Sequence, residues 1–176
     1  MLKFISFGSG SSGNCYLLAT KTDALLIDIG VGLRGLKKAC RDYGVSLSSV
    51  KHVLVTHDHA DHIKSVGAFS NDYQVSIYAT REVHDGINRN YCVVKKVATE
   101  LVGLVEKGKT LQLGEFTVTP FAVPHDSADN VGYSMLTEAG VDSRIIKSIV
   151  GHKGQDITEH YTHITLEVKL EAVNLL

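Results

Sequence analysis

The segment Thr56–His62 constrains the fold of this chain more than any other feature. It places three histidines and two aspartates within seven residues, directly after the apolar run Val53–Val55. Such polar groups gain nothing from burial at a strand end unless a partner compensates them. Imidazole nitrogens and carboxylate oxygens are the ligands that Zn²⁺ and similar divalent ions take at about 2.0–2.2 Å. The segment therefore predicts a metal site at the end of a strand, and a solvated histidine-rich turn is the alternative.

The spacing within this segment indicates two neighbouring metal positions. His57 and His59 alternate along the chain, so we expect their side chains on one side of an extended loop. Asp61 and His62 follow, and we expect them to reach an adjacent position. Two ions can share the segment in this arrangement.

Short apolar segments separated by turn residues predict a chain rich in strands. Strands are expected at Lys3–Phe7, Cys15–Ala19, Ala24–Ile29, Val53–Val55, Val75–Ala79, Leu101–Val105, Thr110–Leu113 and Phe116–Phe121. Helices are expected at Leu33–Tyr43, Ile63–Phe69, Asp142–Val150 and Thr165–Val173. The turns between the first three strands predict a meander at the start of the fold. Pro120 lacks an N–H and predicts an edge strand or a strand end.

Three further segments carry a family resemblance together with the histidine segment. They are the glycine-rich opening Phe4–Tyr16, the strand Leu25–Gly30 and the later segment Val123–Asp129, which contains Pro-His-Asp. In combination these segments resemble the metallo-β-lactamase fold, and within it the small bacterial YycJ-type hydrolases, described as metal-dependent nucleases. The resemblance covers residues 1–135. It implies an α/β (α+β) fold, a truncated metallo-β-lactamase-like αββα sandwich with a short C-terminal helical tail.

The resemblance also implies a set of metal ligands. One ion, Zn²⁺ or Mn²⁺, would be held tightly by His57, His59 and His125, the last of which follows Pro124 in the sequence. A second ion would rest on Asp61 and His62. The metal-bridging Asp and the last His of the family have no matching position in this chain, so we expect the second site to be weak or empty.

Two aspartates and one loop complete the expected site. Asp58 is the residue that the resemblance assigns to proton handling, as the catalytic residue. Asp28 ends an apolar strand, and the resemblance implies that it supports the histidine segment, since ligating histidines usually need an outer partner. A carboxylate that bonds backbone amides at a turn is the alternative. The loop Ser9–Asn14 is rich in glycine but lacks the Lys-Ser/Thr of a phosphate-binding P-loop. We interpret it as a turn near the site, with phosphate binding as the alternative.

The remaining residues, 136–176, resemble the C-terminal end of a phage-type tyrosine recombinase. His152 matches the active-site histidine of that family, and Tyr161 matches its nucleophile. The catalytic arginines of the recombinase have no counterpart here, and a tyrosine that attacks a phosphodiester needs such cations. We therefore expect the tail to be inactive, and we interpret the chain as a junction of two truncated proteins.

Composition and charge limit the partners of this chain. Its 176 residues are 44% hydrophobic and carry a net charge of −1, so no overall basic surface is available for DNA and any nucleic-acid contact must be local. The three cysteines are odd in number and widely separated, which argues against a disulfide framework. No apolar run approaches the length of a membrane span, and no leader pattern is present, so a cytoplasmic protein without membrane contact is expected.

Three functional classes fit the sequence. The first is a metal-dependent hydrolase with a nucleic-acid phosphodiester as substrate, impaired by the loss of C-terminal ligands. The second is a recombinase-like DNA-binding or integration fragment, and the third is a catalytically silent metal-binding protein. A homo-oligomer is expected if the tail leaves the incomplete second sheet uncovered.

Overall fold

The computed structural model describes residues 2–123 and 129–137. They form two β-sheets, with helices on one face of the larger sheet. The strands are β1 (Lys3–Gly8), β2 (Cys15–Ala19), β3 (Ala24–Ile27), β4 (Val50–Leu54), β5 (Ser76–Ala79), β6 (Val102–Leu104), β7 (Leu111–Leu113), β8 (Phe116–Ala122) and β9 (Val131–Thr137). The helices are α1 (Leu33–Asp42), α2 (Ala60–Ile63), α3 (Val66–Tyr73) and α4 (Arg81–Arg89), with 3₁₀ turns at Leu47–Ser49 and Thr99–Leu101.

The larger sheet has the strand order β1-β2-β3-β4-β5-β6. Its first three strands are antiparallel, as the predicted meander requires. From β3 onwards the pairs are parallel, because helices connect the strands and return the chain to the same end of the sheet. The carboxyl ends of β3 and β4 consequently lie side by side, and the residues that follow each strand meet there.

The smaller sheet, β7-β8-β9, packs on the other face of the larger one. Alternation along the strands sends side chains to both faces. Leu17 and Leu26 join the core on the helical side, whereas Leu18 and Leu25 join the core between the sheets. The resulting order of layers, helices then sheet then sheet, is that of the predicted metallo-β-lactamase-like fold over the described residues.

Two predicted elements have different bounds in the structure. The strand expected at Ala24–Ile29 ends at Ile27, because Asp28 has a φ of 57° and turns the chain out of the sheet. The helix expected at Ile63–Phe69 is two helices, α2 and α3. Ser65 interrupts them, and its backbone N–H donates to the Ile29 carbonyl at 3.0 Å instead of to a helical partner.

Helix α4 was not predicted, although its sequence contains the usual signals. Thr80 caps it by accepting a hydrogen bond from the Val83 N–H through its side chain. Val83 and Ile87 are buried one helical turn apart. Two apolar residues separated by polar ones are too short a periodic pattern to predict a helix.

Pro120 lies in β8, which is the middle strand of the smaller sheet, so the edge-strand interpretation is wrong. It nevertheless lies past the end of the pairing with β7, which stops at Val118. Its carbonyl accepts from the Gly108 N–H at 2.7 Å on that side of the strand. The missing N–H therefore interrupts no ladder bond.

Strand β9 was also not predicted, and it crosses the proposed boundary between residues 135 and 136. Val131, Tyr133 and Met135 alternate into the core between the sheets. Residues 138–176 lie outside the described part of the chain, and so do the two helices expected there, so the tail and the chimeric origin stay predictions. In residues 2–123 and 129–137, no helix has the length and apolar character to cross a membrane.

The buried ring of His84 in α4 predicts a pH dependence of stability. Burial lowers its pKa below the ordinary value of 6.5, although the hydrogen bond from Nε2 to the Gly103 carbonyl, 2.8 Å long, opposes this shift. The unfolded chain therefore takes up a proton at this residue before the folded chain does. We expect the free energy of unfolding of the metal-free protein to lose this contribution as the pH falls through about 6.5.

The variant His84→Gln retains a donor for Gly103 but cannot titrate. Its urea unfolding should be compared with that of the unsubstituted protein between about pH 5 and 8. Below about pH 6.5 the free energy of unfolding should fall more steeply for the unsubstituted protein than for the variant. Parallel curves would show that His84 does not contribute.

Candidate metal centre

The predicted site residues gather at the carboxyl ends of β3 and β4. In parallel α/β sheets, ligands are commonly bound in the crevice at these ends. His57 and His62 are buried there, with exposed fractions of 2% and 4%. His59 and Asp61 are partly exposed.

Asp28 is the centre of the buried hydrogen-bond network in this region. It is fully buried, with an exposed fraction of 0%, and accepts three hydrogen bonds. The Thr56 backbone N–H donates to Oδ1 at 2.9 Å, and the Thr56 hydroxyl donates to Oδ2 at 2.8 Å. The Nδ1–H of His62 donates to Oδ2 at 2.7 Å. The carboxylate thus fixes both ends of the histidine segment.

The bond to Asp28 determines what His62 can do with its second nitrogen. Because Nδ1 carries the donated hydrogen in the neutral ring, Nε2 keeps a lone pair. This Nε2 lies 3.7 Å from Oδ2 of Asp61. Burial lowers the pKa of His62, but the charges of Asp28 and Asp61 and the hydrogen bond to Asp28 outweigh it and raise the pKa above 6.5.

His57 is oriented by the same carboxylate through Thr56. The single hydroxyl hydrogen of Thr56 goes to Asp28, so Oγ1 accepts from the Nδ1–H of His57 at 2.9 Å. The Nε2 of His57 then also carries a lone pair. The His57 ring centroid is 3.9 Å from that of His62 and 4.7 Å from that of His59, so the three rings form one cluster.

Asn14 is a member of this site that the sequence did not reveal. Its side chain is buried, and Nδ2 lies 3.0 Å from Nε2 of His62 and 3.1 Å from Oδ2 of Asp61. The backbone supports this contact, since the Asn14 N–H donates to the Asp61 carbonyl at 2.7 Å. The only sequence signal was its place at the end of the glycine-rich turn, which we had expected near the site.

Glycines allow this close approach of separate chain segments. A Cβ on Gly30 would lie 1.6 Å from the Asp61 carbonyl oxygen, and a Cβ on Gly13 would lie 2.6 Å from the Gly30 carbonyl oxygen. Gly30 also donates its N–H to the Asn14 carbonyl at 2.8 Å. The opening loop, the turn after β3 and the start of α2 therefore pack backbone against backbone.

Asp58 points its carboxylate towards α4. A Cβ on Gly86 would lie 2.1 Å from Oδ2 of Asp58, so the side chain occupies the space that this glycine leaves open. The side-chain amide of Asn90 donates to the Asp58 carbonyl oxygen at 3.0 Å. Asp58 is thus held beside the histidine cluster by α4, and its catalytic role stays a prediction.

The loop that contains His125 is held at both ends, although His125 itself lies outside the described residues. Val123 donates its N–H to the Asn130 carbonyl at 3.4 Å, which closes the base of the loop. Val131 donates its N–H to the carbonyl of Thr56 at 3.0 Å, and the Tyr133 hydroxyl donates to the Val55 carbonyl at 2.7 Å. The base of the loop therefore lies next to the histidine segment.

The donors present are of the types that divalent metal ions bind, namely imidazole nitrogens with fixed tautomers and a carboxylate. Over residues 2–123 and 129–137, however, no group of three or more His, Cys, Asp or Glu side chains is arranged to hold an ion. The described site provides the cluster of three histidine rings, with Asp61 next to His62 at its edge. His152 and Tyr161 lie outside the described residues, so the structure does not place them.

A family model described as the Beta-lactamase superfamily domain matches residues 24–142. This match covers more than half of the chain and includes Asp28 and the whole histidine segment. The chain belongs to this superfamily.

Curated relatives agree with this assignment. Exodeoxyribonuclease YycJ of Bacillus anthracis is 25% identical over 158 residues, which cover 85% of this chain and 59% of that protein. Exodeoxyribonuclease WalJ of Streptococcus pneumoniae serotype 2 is 28% identical over 157 residues, which cover 84% of this chain and 58% of that protein. A UPF0173 metal-dependent hydrolase of Halobacterium salinarum is 35% identical over 92 residues, covering 52% of this chain and 35% of that protein. The chain spans less than two thirds of the length of these relatives.

Solved structures show the same fold. A subclass B3 metallo-β-lactamase of Bradyrhizobium japonicum superposes with a TM-score of 0.62 at 19% identity, over 78% of this chain and 55% of that one. A B3 metallo-β-lactamase with an active-site glutamic acid gives a TM-score of 0.63 at 19% identity, over 75% and 53%. The metallo-β-lactamase-like fold expected from the sequence is confirmed.

Proposed function

We propose that this chain is a metal-dependent hydrolase of nucleic-acid phosphodiesters, that is, a nuclease. The buried network around Asp28 supports the proposal most strongly. In this network a fully buried carboxylate fixes the tautomers of His57 and His62. Ligating histidines characteristically donate their second N–H to such an outer partner. The nuclease names of the two bacterial relatives supply the substrate class.

The proposed ligand set is that of the sequence prediction. His57, His59 and His125 hold a tight Zn²⁺ or Mn²⁺, and Asp61 with His62 forms a second, weaker position. Support for including His125 comes from the hydrogen bonds that hold the base of its loop beside Thr56. A divalent ion in such a site supplies a water of lowered pKa and stabilises the negative charge that develops on phosphate oxygens.

The chain's own residues supply orientation and proton handling. Asp28 and Thr56 keep the histidine rings in position, so little rearrangement is needed when substrate enters. Asp58, seated against α4, is proposed to manage the proton of the attacking water. The substrate has to be recognised locally, since the net charge of the chain is −1.

The test combines metal content with DNA hydrolysis. We expect the purified protein to retain about one Zn²⁺ or Mn²⁺ per chain, as a three-ligand site predicts, and to hydrolyse DNA slowly. We expect a chelator to abolish that hydrolysis. The double variant His57→Ala with His59→Ala should lose both the metal and the activity, because it removes two of the three tight ligands. Elemental analysis and a gel assay with labelled single- and double-stranded DNA measure the two quantities.

The control for this test is His52→Gln, in β4 just before the histidine segment. It removes an imidazole whose Nδ1 is buried without a hydrogen-bond partner among the described residues, and should leave metal and activity unchanged. Unchanged metal content in the double variant would refute the proposed site. Hydrolysis that resists chelator and disappears with Tyr161→Phe would instead favour the recombinase-like alternative.

A further inference from the structure

The side-chain nitrogen of Asn14 has an unusual set of neighbours. Four acceptor atoms surround Nδ2: the Gly10 carbonyl at 3.0 Å, the Asp61 carbonyl at 3.4 Å, Oδ2 of Asp61 at 3.1 Å and Nε2 of His62 at 3.0 Å. A primary amide has only two hydrogens to donate. The carbonyls of Gly10 and Asp61 already accept the backbone N–H groups of Gly13 and Asn14. Oδ2 of Asp61 and Nε2 of His62 are left for the two amide hydrogens, and both are atom types that bind divalent cations.

The orientation of the Asn14 amide is fixed by its other end. Its Oδ1 accepts from the Gly10 N–H at 3.0 Å and from the Tyr16 hydroxyl at 3.3 Å. A flipped amide would face these two donors with its own N–H groups and face the four acceptors with its oxygen. The network therefore assigns the nitrogen to the side of Asp61 and His62.

These two side chains are the proposed ligands of the second ion, so Asn14 and the ion compete for the same lone pairs. An ion about 2.0–2.2 Å from Nε2 of His62 would come too close to an amide nitrogen hydrogen-bonded to that same atom. We propose that the Asn14 amide occupies the second metal position in the metal-free protein and must withdraw before an ion binds there. Asn14 thus lowers the affinity of that position, an inference that rests on the proposed function.

The sign of the effect follows from linkage. Hydrogen bonds from Asn14 stabilise the metal-free form and are lost when the second ion binds, so they oppose binding. Asn14 and His62 are both nearly fully buried, at 5% and 4% exposure, so water does not readily replace the lost partner. Removing the amide should therefore tighten the second site.

The experiment is a zinc titration of the full-length chain in competition with a chromophoric chelator. We expect Asn14→Ala to bind the second Zn²⁺ about tenfold more tightly, the equivalent of one charge-assisted hydrogen bond, with the first affinity unchanged. The metal-free variant should melt at a lower temperature than the unsubstituted protein, and the two should melt together when saturated with zinc. Tyr16→Phe removes the donor that holds Oδ1 and should produce a smaller shift in the same direction, even if Asn14→Ala folds poorly.

Two controls separate the possible failures. Asn71→Ala removes an amide that is distant in sequence from Asn14 and donates to the Gly67 and Lys96 carbonyls. It should lower the melting temperatures of the metal-free and the zinc-saturated protein equally. His62→Ala should abolish the second binding event. If it does not, the proposed ligand pair is wrong and this inference falls with it. If it does, but Asn14→Ala and Tyr16→Phe leave the second affinity unchanged or weaker, only the role of Asn14 is overturned.

Discussion

Asp28→Asn should remove metal binding and lower the free energy of unfolding by about 2–3 kcal/mol, because a buried donor or acceptor loses its partner. The carboxylate accepts from three donors, and an amide has only one accepting oxygen. If the amide nitrogen faces the Thr56 backbone N–H, two N–H donors point at each other and neither has an acceptor. If it takes the place of Oδ2 instead, it donates to the Thr56 hydroxyl oxygen, and the Thr56 hydrogen turns to Nδ1 of His57. The hydrogen of that ring then moves to Nε2, the atom proposed to bind the tight ion.

The measurements are urea unfolding of the metal-free protein and elemental analysis after purification. Asp23→Asn is the matched control. Asp23 is also buried, at 4% exposure, and accepts from the backbone N–H groups of Ala24 and Glu115 at the opposite end of β3. It should cost stability without changing metal content. Full retention of metal by Asp28→Asn would contradict the orienting role of this carboxylate.

Among the glycines that the structure describes, Gly30 should be the most damaging to replace by alanine, at a cost of about 3 kcal/mol or more. The added Cβ would lie 1.6 Å from the Asp61 carbonyl oxygen and 2.2 Å from its carbon, so backbone must move on at least one side. Moving α2 would displace its N-cap residue His59, a proposed ligand of the tight ion, and would separate His62 from Asp28. We therefore expect the variant to lose metal as well as stability.

Gly35→Ala in α1 provides the comparison. Outside the backbone of α1 itself, no atom of residues 2–123 or 129–137 lies within 4 Å of the Cβ that would be added there. Its effect should be neutral or stabilising by about 0.4–1 kcal/mol, because alanine restricts the unfolded chain. Thermal unfolding and metal content should be measured on both variants. Equal stability of the two would show that the backbone around Gly30 can adjust.

Most strands could be predicted from local pattern. The first three strands and β8 alternate or run apolar between clear turn residues. Burial alternates along β8, whereas β2 and β3 are buried almost throughout because a core packs on each face of them. Helix α4 and strand β9 escaped prediction for opposite reasons. The apolar stripe of α4 is only two side chains long. Strand β9 falls where the sequence changes its family resemblance, so the predicted boundary passes through its alternating residues Val131, Tyr133 and Met135.

The site was predictable only as far as residue chemistry indicates it. Three imidazoles beside a strand end indicate metal binding. The resemblance implies that Asp28 supports the histidine segment. Nothing local to Asn14 indicates its role, because its partner Asp61 is 47 residues away and the contact depends on glycines that permit two backbones to touch. Contacts of this kind follow from three-dimensional packing and leave no periodic signal.

The hydrogen bonds from β9 to the end of β4 have a consequence for biosynthesis. The ribosome makes the chain from its N-terminus, and the histidine segment emerges long before the residues that fasten it. Tyr133 is separated from its acceptor Val55 by 78 residues. In a nascent chain, Asp28 and the histidine segment are thus both made before β9 can donate its hydrogen bonds to the carbonyls of Val55 and Thr56. The network around Asp28 has to hold the rings until β9 adds these bonds.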